Sequence, residues 1–262
     1  MKKIGIIGGG NMGEAIIASS LKKFSICVNE KDKKRCAYLK SRYKTKTMDL
    51  TAIAKSSDII ILAVKPQDIE EVLNVLKGRI TKNQLVISIA AGITTRFIEK
   101  ILKENVRIVR TMPNMPALIG QGITAVAKGK YASSNDLIVA RRIFDHVGQT
   151  IIVQEKLIDG ITAVSGSGPA YVYYFMECLI NAAKSLGFSE SMAKQLVKAT
   201  FLGSINLAQQ KNLDPEVLRA KVTSKGGTTA AALNVFTKKK FETIVKAALT
   251  AAKKRAVQLS KG

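Results

Sequence analysis

Three glycines, Gly8-x-Gly10-x-x-Gly13, stand directly after the apolar, mostly β-branched run Ile4–Ile7 and directly before Ala15, Ile16, Ile17 and Leu21, which recur at helical spacing. A strand that feeds a glycine turn opening a helix is the context in which such a triplet cradles a dinucleotide pyrophosphate. Gly8 permits the tight turn, Gly10 lets the backbone approach the phosphates, and Gly13 lets the helix pack close to the strand. The free N–H groups and positive potential of the helix start favour the anion. The competing reading is a glycine-rich turn that binds nothing.

A second strand is expected over residues 24–28, and the residues after it would meet the adenosine ribose. An acid there accepts from the 2′-hydroxyl of NAD, whereas basic or small polar groups suit the 2′-phosphate of NADP. The chain offers Asn29-Glu30-Lys31 and then Lys33, Lys34 and Arg35. Glu30 argues for NAD; Asn29, Lys31 and the following cations argue for NADP, and the balance favours NADP.

Two further loops carry chemistry. One is Val164-Ser165-Gly166-Ser167-Gly168-Pro169-Ala170, small residues ahead of a helix. The other is Val222-Thr223-Ser224-Lys225-Gly226-Gly227-Thr228-Thr229, rich in hydroxyls and glycine and placed ahead of Ala230-Ala231-Ala232-Leu233. Backbone N–H groups at such a helix start form a cradle for a carboxylate or phosphate. The plain alternative is a helix cap by Thr228 or Thr229. His146 is the one histidine, so a Ser-His-Asp set has a single place to form, and metal-ligand clusters are absent from the sequence. The chemistry must lean on a cofactor, hydroxyls, backbone groups and ordered water.

The elements that position these loops follow from periodicity. Strands are expected near 4–7, 24–28, 58–64, 85–89, 106–109, 122–128 and 149–153, with a weak one near 44–47. Helices alternate with them, at about 33–41, from Asp68, after Thr94 and at about 134–145. That alternation predicts a parallel sheet with helices on both faces. Ligands then bind beyond the carboxyl ends of the strands: Gly8–Gly13, Ala63-Val64-Lys65-Pro66, Ala90-Ala91-Gly92 and Arg110–Pro116 should line one crevice. After Val153 the alternation stops, and helices are expected at 157–164, 168–186, 189–210, 215–221, 229–236 and 239–260. The fold class is therefore α/β, with a Rossmann-type dinucleotide-binding domain expected over residues 1–155 and an all-α domain over 156–262.

Bulk properties narrow the classes. The net charge is +23, with lysine dispersed rather than striped with aromatics, so a surface around a site for anions is preferred to nucleic-acid binding. No apolar run approaches the ~18–20 residues of a membrane span. Cys27, Cys36 and Cys178 lack paired spacing, which predicts neither a disulfide framework nor zinc. With the first strand beginning at once, a signal peptide is not expected. The expectation is a cytoplasmic protein without membrane or nucleic-acid partners.

With both halves read, the chain resembles the pyrroline-5-carboxylate reductase family. The motifs are Gly8–Gly13, Leu62-Ala-Val-Lys65-Pro66, Arg110-Thr-Met-Pro113-Asn114-x-Pro116-Ala117, Ala163-Val-Ser-Gly-Ser-Gly-Pro169-Ala170-Tyr171 and Val222-Thr-Ser-x-Gly-Gly-Thr-Thr229. They run through nearly the whole length in family order. The resemblance implies reduction of the cyclic imine 1-pyrroline-5-carboxylate to L-proline by NADPH, with NADH possible, the last step of proline synthesis. It implies a homodimer interlocked through the helical half, and larger assemblies of dimers. It places the substrate on Val222, Ser224, Gly226, Gly227, Thr228, Thr229 and Ser165, with Thr229 as the catalytic hydroxyl at the imine nitrogen. It places the cofactor on Gly8, Gly9, Gly10, Asn11, Met12, Gly13, Asn29, Lys31, Ala63, Val64, Lys65, Pro66, Ala90, Ala91, Gly92, Pro113 and Asn114. The sequence departs from the pattern at Lys225 (for proline), Met115 (for threonine), Ala220 (for aspartate) and Leu50 (for a ribose-contacting asparagine, with Asp49 adjacent).

Overall fold

A computed structural model describes residues 2–21, 23–103 and 105–259. The chain opens as β1 (Lys3–Ile7), α1 (Asn11–Ser20), β2 (Ser25–Asn29), α2 (Lys33–Tyr43), β3 (Lys46–Thr47), α3 (Leu50–Ser56), β4 (Ile59–Leu62), α4 (Ile69–Leu76), β5 (Leu85–Ser88), α5 (Thr95–Leu102) and β6 (Arg107–Met112). It continues with β7 (Gly122–Lys128), α6 (Ser134–Phe144) and β8 (Gly148–Ile152), and from Glu155 onward every described element is helical. The strands form one sheet in the order β3-β2-β1-β4-β5-β6-β7-β8. All neighbours are parallel except β6 and β7, which pair antiparallel, Arg110 opposite Ala127. The order reverses between β1 and β4, and that switch point is where a dinucleotide fold opens its ligand crevice.

The strands read as continuous apolar runs because both faces of the sheet are covered. Ile4, Ile6, Ile59, Ile61, Leu85 and Ile87 point into a core closed by Ile16 and Ile17 of α1 and Leu137, Ile143 and Phe144 of α6. Their alternates Ile7, Ile60, Leu62 and Val86 point to the opposite core, closed by Ile53 of α3, Ile69, Leu73 and Leu76 of α4, and Ile98 and Leu102 of α5. Period-two alternation thus splits each buried strand between two cores.

The sequence reading differs from this architecture in two places. It anticipates no helix at Leu50–Ser56, yet Asp49 accepts from Ala52 N–H at 2.7 Å and starts α3. It also anticipates only parallel pairing, whereas the segment between β6 and β7 is short and holds a 3-10 turn at Met115–Ile119. A parallel partner needs a crossover of a dozen residues or more, so β7 returns antiparallel.

The chain forms two compact units, Met1–Pro169 with Ala251–Gly262, and Ala170–Thr250. The helices of the second half are α7 (Ile158–Ile161), a π-helical turn at Thr162–Gly166, α8 (Gly168–Ser185), α9 (Glu190–Lys211), α10 (Pro215–Lys221), α11 (Thr228–Lys238) and α12 (Phe241–Leu259). Within residues 170–250, Phe175, Phe201, Phe236 and Phe241 form an aromatic knot with ring centroids 5.4–6.4 Å apart. The buried apolar side chains of that unit are Ala193 and Val197, while Tyr173, Tyr174, Leu196, Leu202, Ile205, Val235 and Ile244 are exposed.

Candidate active site

The glycine turn has the geometry that its spacing requires. Gly8 has φ +103°, and a Cβ there would lie 2.5 Å from the Ala63 carbonyl oxygen. A Cβ on Gly13 would lie 2.2 Å from the Gly8 carbonyl oxygen, so α1 packs directly on the turn. A Cβ on Gly10 would meet nothing within 4 Å. Gly10 is also the N-cap of α1 and makes no side-chain cap bond, so the first-turn N–H groups keep their donor capacity. These features fit a dinucleotide pyrophosphate: the tight positions are packed by protein and the remaining one faces open space.

That space is a cleft of about 430 Å³ at the β1/β4 switch point. It is lined by Gly8, Gly10, Asn29, Glu30, Lys31, Leu50, Ala63, Val64, Lys65, Gln67, Asp68, Glu71 and Val72. Of the residues assigned to the cofactor from sequence, it brings together Gly8, Gly10, Asn29, Lys31, Ala63, Val64 and Lys65. Gly9 lies behind the turn, against Leu39 and Glu30. Asn11 is exposed at the start of α1, Met12 packs on the core, and Gly13 is buried. Pro66 begins the 3-10 turn Pro66–Asp68 that leads into α4. Ala90, Ala91 and Gly92 follow β5 outside the cleft lining. Gly92 has φ +77°, and a Cβ there would lie 2.6 Å from Leu259 Cβ of α12. Pro113 is buried, and Asn114 accepts from Ile123 N–H at 2.9 Å, which anchors the turn into β7.

Glu30, the acid expected at the ribose, is engaged by backbone. It accepts from Gly9 N–H at 2.7 Å and from Asp32 N–H at 2.9 Å. Asn29 donates to the Met48 carbonyl at 2.9 Å. Lys31, 83 % exposed, makes an ion pair with Asp68 at 3.4 Å in the cleft. Asp49 is committed to capping α3, and Leu50 faces the cleft beside it.

In the helical half, α11 starts at Thr228 with Gly227 as its N-cap, and no side chain caps it. Capping by Thr228 or Thr229 is therefore not what the structure adopts. Gly226 has φ +73°, and a Cβ on Gly227 would lie 2.3 Å from Ser224 Oγ. The loop closes through Gly227 N–H to the Ser224 carbonyl at 3.1 Å. It is thus a tight glycine turn delivering uncapped helix N–H groups, with Thr228 exposed and Thr229 half-buried in the first turn. Val222 and Lys225 are exposed. Ser165 sits in the π-helical turn and donates to the Ile161 carbonyl at 3.1 Å.

Sequence reasoning missed two charged clusters, one behind the glycine turn and one on β6. Glu14 and Arg35 pair behind the glycine turn. Arg110, almost fully buried on β6, pairs with Asp159 at 2.5 Å and Glu155 at 3.6 Å. Glu155 in turn accepts from Thr95 N–H and Oγ1, each at 2.7 Å. The sequence signal of Glu14 and Arg110 is a charge inside an apolar stretch, whereas Arg35 is one of a run of cations. Burial above all holds the Cys27 thiol above its ordinary value, and burial followed by Glu30 and Asp32 does the same for Cys36. Neither is a thiolate nucleophile at neutral pH. Among the described residues no cluster of His, Cys, Asp and Glu has a metal-holding arrangement, and no helix is long and apolar enough to cross a membrane.

A family model for pyrroline-5-carboxylate reductase dimerisation matches residues 155–259, and one for the NADP oxidoreductase, coenzyme F420-dependent family matches residues 3–92. The pyrroline-5-carboxylate reductase of Synechocystis is 38 % identical over 265 residues, covering 99 % of this chain and 98 % of that relative. This chain belongs to the pyrroline-5-carboxylate reductase family. Pyrroline-5-carboxylate reductase 1 of Bacillus spizizenii is 37 % identical over 266 residues, covering 99 % of this chain and 90 % of the relative. A pyrroline-5-carboxylate reductase structure from Coxiella burnetii superposes with a TM-score of 0.90 at 37 % identity, covering 100 % of this chain and 99 % of that one. The Plasmodium falciparum structure, which has NADP bound, gives 0.89 at 31 % identity, covering 99 % and 98 %. The resemblance drawn from the motifs is thus the family found by comparison. The four departures lie at Leu50 in the cleft and at exposed positions Met115, Ala220 and Lys225.

Proposed function

We propose that this protein reduces the C=N bond of 1-pyrroline-5-carboxylate to give L-proline, using NADPH in preference to NADH. Family membership supports the reaction class. The observation that carries the substrate reading is the start of α11: a tight Ser224–Gly227 turn, no capping side chain, and Thr229 in the first turn. Uncapped N–H groups at the positive end of a helix suit a carboxylate. The glycine turn and the Ala63–Pro66 segment hold the cofactor; Ala90–Gly92 and Pro113–Asn114 complete its surroundings. Val222, Ser224, Gly226, Gly227, Thr228 and Thr229, with Ser165, hold the substrate.

When bound, the nicotinamide supplies a hydride. Reduction would turn the protonated C=N group into the secondary amine of the product. An imine nitrogen protonates far more readily than a carbonyl oxygen, so the protein needs only a hydrogen-bonding hydroxyl there. Thr229 is assigned that part, which a chain with one histidine can fill. The preference for NADPH rests on the Glu30 carboxylate being engaged by Gly9 and Asp32, while the exposed Lys31, paired with Asp68, stands at the same strand end. We further infer a cytoplasmic homodimer, assembled through the exposed apolar faces of residues 170–250, that does not act on nucleic acid.

The test is oxidation of NADPH and NADH, measured in parallel with 1-pyrroline-5-carboxylate. Turnover with kcat/KM higher for NADPH is expected. A protein that binds cofactor and turns over neither would overturn the reading. Thr229→Ala should lower kcat about 10²-fold with little change in NADPH affinity; unchanged kcat removes Thr229 from the mechanism.

A further inference from the structure

The Gly9 peptide, in the middle of the glycine turn, is gripped at both ends. Its N–H donates to Glu30 Oε2 at 2.7 Å, and its carbonyl accepts from Arg35 Nε at 2.6 Å. The Arg35 guanidinium is itself fixed. Its other face pairs with Glu14, and it lies 5.0 Å from the centroid of the Tyr38 ring. Glu14 also accepts from Tyr38 Oη at 2.9 Å and Tyr43 Oη at 2.8 Å. The backbone of Arg35 is pinned too, its N–H donating to the Asp32 cap of α2 at 3.0 Å. On the protein side of Gly9 there is no slack: a Cβ would lie 2.4 Å from Leu39 Cδ1 and 3.2 Å from Glu30 Oε2. On the open side Gly10 meets nothing.

In sequence, Arg35 belongs to a run of cations, Lys33-Lys34-Arg35, suited to a 2′-phosphate. The bonds point elsewhere. A guanidinium presents a rigid fork of donors, and here its Nε–Nη2 edge is turned inward, Nε to the turn and Nη2 to Glu14. We propose that Arg35, held by Glu14, is the positioning residue of the pyrophosphate turn, and that its contribution to cofactor binding is indifferent to the 2′-phosphate. It fixes the Gly9 carbonyl from behind, so that Gly10 and the first N–H groups of α1 face the cleft before any ligand arrives. This inference rests on the dinucleotide reading of the cleft.

The experiment measures Kd for NADPH and for NADH by fluorescence titration of the full chain, for wild type, Arg35→Gln, Arg35→Lys and the milder Tyr43→Phe, with steady-state kinetics alongside. Arg35→Gln should weaken both dinucleotides by the same factor, about tenfold for one charge-assisted bond, with kcat at saturating cofactor within twofold of wild type. Arg35→Lys keeps the charge but not the fork, and should show the same equal loss. Tyr43→Phe, which leaves Arg35 in place, should show a smaller equal loss and keeps the test open if Arg35→Gln fails to fold. Loss confined to NADPH, rescue by lysine, or unchanged affinity for both would overturn the assignment. Wild-type protein that binds neither dinucleotide would instead overturn the functional reading beneath it.

Discussion

At the residue scale, the glycines and Glu14 carry the sharpest consequences. A methyl group at Gly13 meets the Gly8 carbonyl oxygen at 2.2 Å, backbone that cannot swing aside. Gly13→Ala should therefore destabilise the fold by about 2–4 kcal/mol, as overpacking and backbone displacement do, and a thermal melt should show it without added cofactor. Glu14 gives a pH prediction. Burial opposes its charge, but hydrogen bonds from Tyr43, Arg35 and Tyr38 and the Arg35 charge outweigh that and hold its carboxyl below the ordinary value of 4.5. A depressed folded value means that the stabilisation is present above 4.5 and is lost as pH falls through the lower folded value. Melting temperature followed from pH 7 down to pH 3 should drop below 4.5, and Glu14→Gln should flatten that drop. The glycine spacing was readable because only backbone sterics matter there. The inward-turned Glu30 and Arg35 were not. A sequence states which charges stand at a strand end, but not which of them the neighbouring backbone has already claimed.

At the element scale, the buried strands were legible because both sheet faces are covered, which leaves runs such as Ile59–Leu62 wholly apolar. Helix caps were legible where the side chain does the capping: Thr94 accepts from Phe97 N–H at 3.2 Å. Asp214 stands at the N-cap of α10 ahead of Pro215 but makes no side-chain cap bond. Helix α3 escaped notice because it is short and buries only Ile53 and Ala54, too little for a period to emerge. The direction of β7 escaped because alternation carries no sense of up or down; only the shortness of its link to β6 fixes it. The two candidate anion sites share one device, a helix opened by glycine with no side-chain cap, at Gly10 for α1 and Gly227 for α11. Each leaves its N–H groups to a ligand. Nothing in glycine alone tells such a helix start from an ordinary turn, so the periodic residues beyond it were needed.

At the scale of the whole molecule, the unit from Ala170 to Thr250 stands out for what it lacks. An isolated unit that buries so little apolar side chain has little hydrophobic free energy to offset chain ordering. The exposed Tyr173, Tyr174, Leu202 and Ile205 call for burial against a second copy, in keeping with the dimerisation family that matches residues 155–259. Light scattering at micromolar concentration should give at least twice the mass of one chain; a monomer would contradict this. The number of dimers per assembly leaves no trace in periodicity. The surplus of lysine sits mostly on the surface: an open basin of about 720 Å³ beside α5 is lined by Arg96, Lys100, Lys103, Lys128 and Lys130, and no residue of the cofactor motifs lines it. The end of α12 packs on the Gly92 turn, with Ala256 buried and Leu259 against the glycine, and Ala251–Gly262 belong to the same compact unit as the first strand. A ribosome that has made the whole sheet has therefore not yet made the segment that covers the end of β5. The nucleotide-binding half emerges before the helical half but is completed only after it.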